Sequence, residues 1–244
     1  MPDAQPQSDP ASGRLRVWYN AGYSETGNAI ALVNQSGRFT TIASHSRGSS
    51  PMLVAADHAQ LEPSFDRSTP AGAAAYTDWC LDFAAANRID LFVVQRGRSA
   101  IARRLDEFAA IGTKALVTAD ADTLEKIENK AQFYTICAAA GLPTPLAISV
   151  HDAASFDAAL DVVTGAGHAA CIKPPRGVFG SGYFKLDDER PAFDRLMSID
   201  DRVLPAWMVR AAIADSGSIP DLLVMQYLPG TEWSVDCLCD HGRI

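Results

Sequence analysis

An α/β chain is predicted, with a doubly wound parallel sheet over residues 14–118 and a compact α+β unit after it. Three observations carry this. Short apolar runs alternate with amphipathic stretches from residue 15 onward. The run Leu91-Phe92-Val93-Val94 is continuously apolar, as a strand buried on both faces must be. Beyond Pro143 and Pro145 the pattern changes to strands separated by a glycine-rich loop, which no longer reads as a simple βαβ repeat.

The elements follow in order. Leu15-Arg16-Val17-Trp18-Tyr19 is a first strand, Asn20 to Gly27 a turn, and Asn28 to Asn34 a short helix. Phe39 to Ala43 is a second strand, Ala71 to Asn87 an amphipathic helix, and Leu91 to Val94 the next strand. Ser99 to Ile111 reads as one helix stopped by Gly112, with a strand at Ala115-Leu116-Val117. A helix starts at Asp120-Ala121-Asp122, where carboxylates favour an N-terminus, and is expected to continue unbroken to Ala140. Then come a strand at Leu146 to Val150, a helix from Ala153 to about Val163, and a strand at Ala169 to Lys173. A strand at Tyr183 to Leu186 follows, with helical segments from Pro191 to Ala214. Strands are expected at Leu222 to Tyr227 and Trp233 to Cys239, and Asp240-His241-Gly242 has the composition of a hairpin turn.

The 244 residues, 48% hydrophobic and 20% charged, are ordinary for a globular protein of one or two domains. A net charge of -8 argues against non-specific nucleic-acid binding, which depends on excess lysine and arginine. No apolar run is long enough to span a bilayer, and Met1 to Gly13 lacks an apolar signal core, so a cytoplasmic protein is expected. Five cysteines fit a reducing compartment and read as buried structural thiols. Cys237 and Cys239 share a strand face but have no further ligands with which to complete a metal site.

The chemistry gathers in the second half. Lys173 ends an apolar strand, and Pro174-Pro175 hold the exit extended, so its ammonium either enters a cleft to meet an anion or snorkels to solvent. Gly177, Gly180 and Gly182 free the following loop to approach a ligand closely, and Ser181 adds a hydroxyl among amide donors. Surface hairpins use the same residues, but this loop directly follows a strand-terminal lysine. It lies between strands and does not open a helix, unlike a dinucleotide fingerprint. Lys130 sits within a predicted helix, where a solvated lysine is the ordinary case. Met225-Gln226-Tyr227-Leu228 ends an apolar strand, and Glu232 falls four residues on across Pro229-Gly230, where a carboxylate could accept from paired hydroxyls. An exposed glutamate reads equally well there.

Together Asn129-Lys130, Gly141-Leu142-Pro143-Thr144-Pro145, Ile172-Lys173-Pro174 with Gly180-Ser181-Gly182, and Tyr227 to Asp236 resemble the ATP-grasp superfamily of carboxylate-amine or carboxylate-thiol ligases. That group includes carbamoyl-phosphate synthetase, biotin carboxylase and D-alanine-D-alanine ligase. The resemblance covers Asp120 to Ile244. It implies that Lys130 and Lys173 hold the α- and β-phosphates of ATP and that the Gly177 to Gly182 loop closes over the β- and γ-phosphates. It further implies that Met225, Gln226, Tyr227 and Leu228 bind adenine and that Glu232 binds ribose. The division it implies is a leader at 1–13, a preceding α/β domain at 14–118, a lid subdomain with its leading helix at 119–221, and the incomplete start of a large subdomain at 222–244. Many relatives carry a glutamate where this chain has Met225-Gln226, so adenine recognition would rest on backbone groups and the Gln226 amide.

The implied reaction passes the γ-phosphoryl group to an unidentified carboxylate, and an amine or other nucleophile then displaces phosphate from the acyl-phosphate. Magnesium is expected only for the complete enzyme, because the family's metal-binding carboxylates lie beyond the point reached here. The chain alone is therefore expected to turn over little or not at all. Asp236 and Asp240 do not form the needed pair, and no catalytic residue is assigned. Trp233 to Cys239 would then present an unpaired edge to the rest of the gene product, a separate subunit or a second copy of the chain. Two other functions stay open. One is a non-catalytic nucleotide-binding or interaction module; the other is a nicotinamide-dependent oxidoreductase, for which Gly22 to Gly27 has the wrong glycine spacing. Arg47-Gly48-Ser49-Ser50, Arg96 and Arg98 could meet a carboxylate or simply be solvated.

Overall fold

The computed structural model describes residues 13–178, 180–191, 193, 194, 197, 202–217, 219–235, 237 and 239. The chain divides into two compact units, Met1–Glu125 and Lys126–Ile244.

The first unit holds β1 (Leu15–Asn20), α1 (Thr26–Gln35), β2 (Phe39–His45), α2 (Pro51–Ala55), β3 (His58–Leu61) and α3 (Pro70–Ala86). It continues with β4 (Leu91–Val93), α4 (Arg98–Ala102), α5 (Leu105–Ala110) and β5 (Lys114–Leu116), and α6 (Ala121–Glu128) follows. The sheet order is β3-β2-β1-β4-β5 and every pairing is parallel, so the doubly wound sheet is present, with its switch point between β1 and β4. β1 alternates its buried side chains between two cores. Trp18 stacks on Phe92 at 3.9 Å between ring centroids and donates from Nε1 to Ser44 Oγ at 2.8 Å, while Val17 and Tyr19 pack with Ile30 and Met52. Removing a side chain as large as Trp18 from such a core costs about 3–5 kcal/mol.

The second unit holds α7 (Lys130–Ala139), β6 (Ala147–Val150), α8 (Ala153–Gly165), β7 (Ala170–Lys173) and β8 (Phe184–Leu186), then β9 (Val203–Leu204), α9 (Ala206–Ser216) and β10 (Leu222–Gln226). Its sheet runs β6-β10-β7-β8-β9, antiparallel except between β8 and β9. β10 therefore sits between β6 and β7, in the same sheet as the segment expected to form the lid. Its two faces are both covered. Val224 joins Ile172, Phe156, Val163 and Ile213 in the core beneath α8 and α9. Leu223 and Met225 point the other way and pack with Cys171, Tyr134 and Ala131. This two-sided burial is why Leu222 to Met225 reads as an unbroken apolar run.

Several expectations need correction. The single helix expected over residues 120–140 is two, because Asn129 leaves helical geometry and caps α7, accepting from the backbone N–H of Ala131 and of Gln132 at 3.0 and 3.3 Å. Asp120 accepts from Thr123 N–H at 2.9 Å at the entry to α6, in keeping with a helix start there. The helix expected from Ser99 to Ile111 breaks at Arg103-Arg104, where Arg104 takes a bridging conformation and pairs with Asp78 and Glu107. α2 and β3 were not expected from the sequence. Trp233 to Val235 are not in a strand and stand exposed; Asp236, Leu238 and the turn at Asp240 to Gly242 lie outside the described residues. Helix α9 begins only after β9, and much of 191–201 is likewise outside. Of the cysteines, Cys80 and Cys171 are buried, Cys137 is half-buried, and Cys237 and Cys239 are exposed. Among the described residues no helix is long and apolar enough to cross a membrane.

Candidate functional site

β7, paired on both sides, ends at Lys173, and the two prolines after it withhold the N–H groups that would continue the ladder. The ammonium donates to Tyr134 Oη at 3.1 Å and lies 5.7 Å from the centre of that ring. Tyr134 stands one turn along α7 from Lys130, on the same helix face. Because Asn129 restarts the helix, Lys130 is its first residue. Its backbone N–H donates to Pro175 O at 2.9 Å, and its Nζ donates to Gly177 O at 2.8 Å. The helix start and the loop after β7 are thus tied by both main chain and side chain.

Burial, and after it the charge of Lys173, hold the Lys130 ammonium below its ordinary pKa. Two cations share a partly desolvated space lined by a single carboxylate among the described residues, that of Glu232. An anion placed there would relieve both effects.

The loop after Pro175 needs its glycines. Gly177, Gly180 and Gly182 have φ of 141°, 64° and 72°, a region that a residue with a Cβ rarely adopts. Ser181 N–H donates to Val178 O at 3.1 Å and Tyr183 N–H to Gly180 O at 3.0 Å, closing successive turns, and Arg202 donates to Gly180 O. Phe179 lies outside the described residues. At the far side of the site, Gln226 N–H donates to Leu146 O at 2.8 Å and Tyr227 N–H to Ala169 O at 2.7 Å. The Gln226 side-chain oxygen accepts from Leu146 N–H at 3.4 Å. Backbone and side-chain groups of the strand exit are therefore partly engaged by neighbouring strands, and Leu228 is the next amide along the chain.

These elements enclose a cavity of about 900 Å³. Lys130, Lys173, Gly180, Ser181, Met225, Gln226, Tyr227, Leu228 and Glu232 all line it. Gly182 does not line it; it packs against Pro174, where an added Cβ would fall 2.7 Å from the ring. Tyr134, Cys171, Tyr183 and Arg202 line the cavity without having been singled out from the sequence. The four-residue spacing from Lys130 could have found Tyr134, and an aromatic directly after Gly182 could have found Tyr183. Arg202 has no local signal. Burial pushes the Tyr183 phenol up to about 12 and also raises the Cys171 thiol, so both are neutral near pH 7. Among the described residues no three His, Cys, Asp or Glu side chains are placed to hold a metal ion.

A family described as ATP-grasp in the biosynthetic pathway with Ter operon matches residues 218–244. No curated protein matches the chain. Among solved structures, the ADP complex of an N5-carboxyaminoimidazole ribonucleotide synthetase superposes with a TM-score of 0.56 at 16% identity, covering 89% of this chain and 48% of that one. The N5-carboxyaminoimidazole synthetase of Staphylococcus aureus, complexed with ADP, gives 0.56 at 13% identity, covering 89% and 49%. An L-amino acid ligase from Bacillus licheniformis gives 0.52 at 12%, covering 89% and 45%. The chain thus spans about half the length of the structures it matches. The chain therefore shares the fold of these structures over 89% of its length, and its residues 218–244 match an ATP-grasp family.

Proposed function

We propose that the cavity of the second unit binds ATP, as the nucleotide-binding part of a ligase that joins a carboxylate to an amine or thiol through an acyl-phosphate. The observation carrying this reading is that two lysines, a left-handed glycine loop, an apolar strand exit and a carboxylate, far apart in sequence, line one cavity of about 900 Å³. That volume is at the upper end of the roughly 300–1,000 Å³ of small-molecule sites. The ADP bound in two of the superposed structures supports the same assignment.

In this proposal Lys173 and Lys130 neutralise the α- and β-phosphates, and Lys130 exchanges its loop carbonyl partner for a phosphate oxygen. The Gly177 to Gly182 loop offers amides to the β- and γ-phosphates. Adenine lies against Met225 and Leu228, with the Leu228 amide as a hydrogen-bonding group since that of Tyr227 is engaged. Glu232 accepts from the ribose hydroxyls. Arg202 adds a third cation once it leaves Gly180 O. Magnesium would normally spread the triphosphate charge. The described residues supply no group of three His, Cys, Asp or Glu side chains to hold it.

Calorimetric titration of a non-hydrolysable ATP analogue tests the site. Affinity should fall about tenfold to a hundredfold in Lys173→Ala and in Lys130→Ala, as expected for loss of a hydrogen bond to a charged group. Unchanged affinity in both variants would rule out the site.

A further inference from the structure

We infer that Tyr134 is a positioning residue for the phosphates of the nucleotide: its phenol oxygen holds the Lys173 ammonium in place before the ligand arrives. The inference rests on the nucleotide reading of the cavity and adds a residue to it.

The two lysines of the cavity are held in different ways. Lys130 Nζ is engaged by the loop, donating to Gly177 O at 2.8 Å and to Pro175 O at 3.4 Å, so it must give up a loop carbonyl to meet an anion. Lys173 Nζ donates to Tyr134 Oη at 3.1 Å, and among the described residues it has no carboxylate partner. An ammonium has three N–H donors, so two remain for a ligand while the bond to Tyr134 stands. The acceptor is also neutral. A carboxylate in its place would offset the charge on which anion binding depends, whereas a phenol fixes the position of the ammonium and leaves its charge whole.

Tyr134 is itself held fast. It lies four residues after Lys130 on the same face of α7, whose start is capped by Asn129 and anchored through Lys130 N–H to Pro175 O. Its ring packs with Cys171, Leu223 and Met225, and Cys171 and Met225 line the cavity as Tyr134 does. The Lys173 ammonium, 5.7 Å from the ring centre, is within the reach of about 6 Å over which an aromatic face attracts a cation. Among the described residues the Tyr134 O–H proton has no acceptor, so the hydroxyl is free to turn a lone pair toward Lys173. A lysine stem is flexible, and ordering it on binding weakens affinity; a stem ordered beforehand avoids that loss.

The test titrates a non-hydrolysable ATP analogue and, separately, adenosine into the full chain by calorimetry, with Tyr134→Phe, Lys173→Ala and the double variant alongside. Phenylalanine keeps the ring and removes only the hydroxyl, and urea unfolding checks that the variant is folded. Because Tyr134 acts through Lys173, its effect is bounded by that of the lysine. Tyr134→Phe should weaken the analogue about threefold to tenfold, the range of one neutral hydrogen bond. It should leave adenosine affinity unchanged and have no further effect in the Lys173→Ala background. A second readout needs no nucleotide. The sequence has lysines only at Lys114, Lys126, Lys130, Lys173 and Lys185, so carbon-13 labelling at lysine Cε reports on Lys173 in the free chain by NMR, with Lys173→Ala assigning the signal. That resonance should shift in Tyr134→Phe. An unmoved resonance, an equal loss in both backgrounds, or adenosine weakened as much as the analogue would overturn the inference. Analogue binding that depends on Lys173 and not on Tyr134 would overturn the role of Tyr134 alone; no analogue binding at all would overturn the nucleotide reading and that role with it.

Discussion

Replacing Gly182 by alanine should damage nucleotide binding more than the same change at Gly180, although Gly180 lines the cavity and Gly182 does not. Both residues have left-handed φ, 64° and 72°, so each alanine incurs about 1 kcal/mol of backbone strain. Their surroundings then separate them. A Cβ on Gly180 would meet the tip of the Arg202 side chain at 2.7 Å, and a long flexible arginine can swing aside. On Gly182 it would meet the ring of Pro174 at 2.7 and 2.8 Å. That ring cannot rotate away, and it is bonded to Lys173. Forcing such a contact costs about 1–3 kcal/mol more, so Gly182→Ala should lose about 2–4 kcal/mol in all. In titrations with a non-hydrolysable ATP analogue this corresponds to roughly a 30- to 1,000-fold loss of affinity, against about fivefold for Gly180→Ala. A Gly182→Ala/Pro174→Ala double variant should recover most of the steric part. Equal losses at the two glycines, or strictly additive effects in the double variant, would refute the idea that the packing of Gly182 on Pro174 sets the loop's geometry.

Other expectations rest on single groups. A bound phosphate stabilises the Lys130 ammonium, so its pKa rises on binding; affinity is then full below the ligand-free pKa and lost as pH rises through it. Burial already holds that ligand-free value under the ordinary 10.5, so calorimetry against pH should show the decline beginning earlier than for a solvated lysine, and Lys130→Arg should remove it. Asn129→Ala should destabilise the start of α7 by about 0.5–2 kcal/mol, visible as faster amide exchange there, and should weaken ATP-analogue binding through Lys130 and Tyr134. Asp152→Ala removes the capping box of α8, which packs on the other face of the sheet; it should cost about 1 kcal/mol of stability in urea while leaving ATP-analogue affinity unchanged.

The sequence made the two-sided strands most legible, because Leu222 to Met225 and Leu91 to Val93 are apolar for a reason that does not depend on distant detail. What escaped was set by partners. β3, His58-Ala59-Gln60-Leu61, is an edge strand with three of its four residues exposed, so burial imposes no alternation on it; its pairing with β2 defines it. Trp233 to Val235 fail in the opposite direction. Their alternating pattern suits a strand, but a period of two selects a conformation only where a neighbour accepts the hydrogen bonds, and here Trp233 is 82% exposed. In the first unit Arg47 and Arg96 were visible individually and Arg67 was not, and nothing in the sequence showed that Asn20 and Glu62 bring the loops after the strands together.

The break at Asn129 explains why weak local signals at the nucleotide cavity add up. Apolar periodicity runs through that position, so a helix continuing across it is locally reasonable. An unbroken helix, however, would leave no free backbone N–H at Lys130 for Pro175 O, and so would lose the link between helix and loop. The asparagine ends one helix, caps the next, and by doing so frees the amide of the lysine after it while directing its side chain to Gly177 O. Pro174 performs a similar double task, closing the strand beyond Lys173 and giving Gly182 a surface that no larger residue could share. The Asn-Lys and Lys-Pro pairs are therefore informative as pairs: in each, one residue fixes the backbone that aims the other's charge.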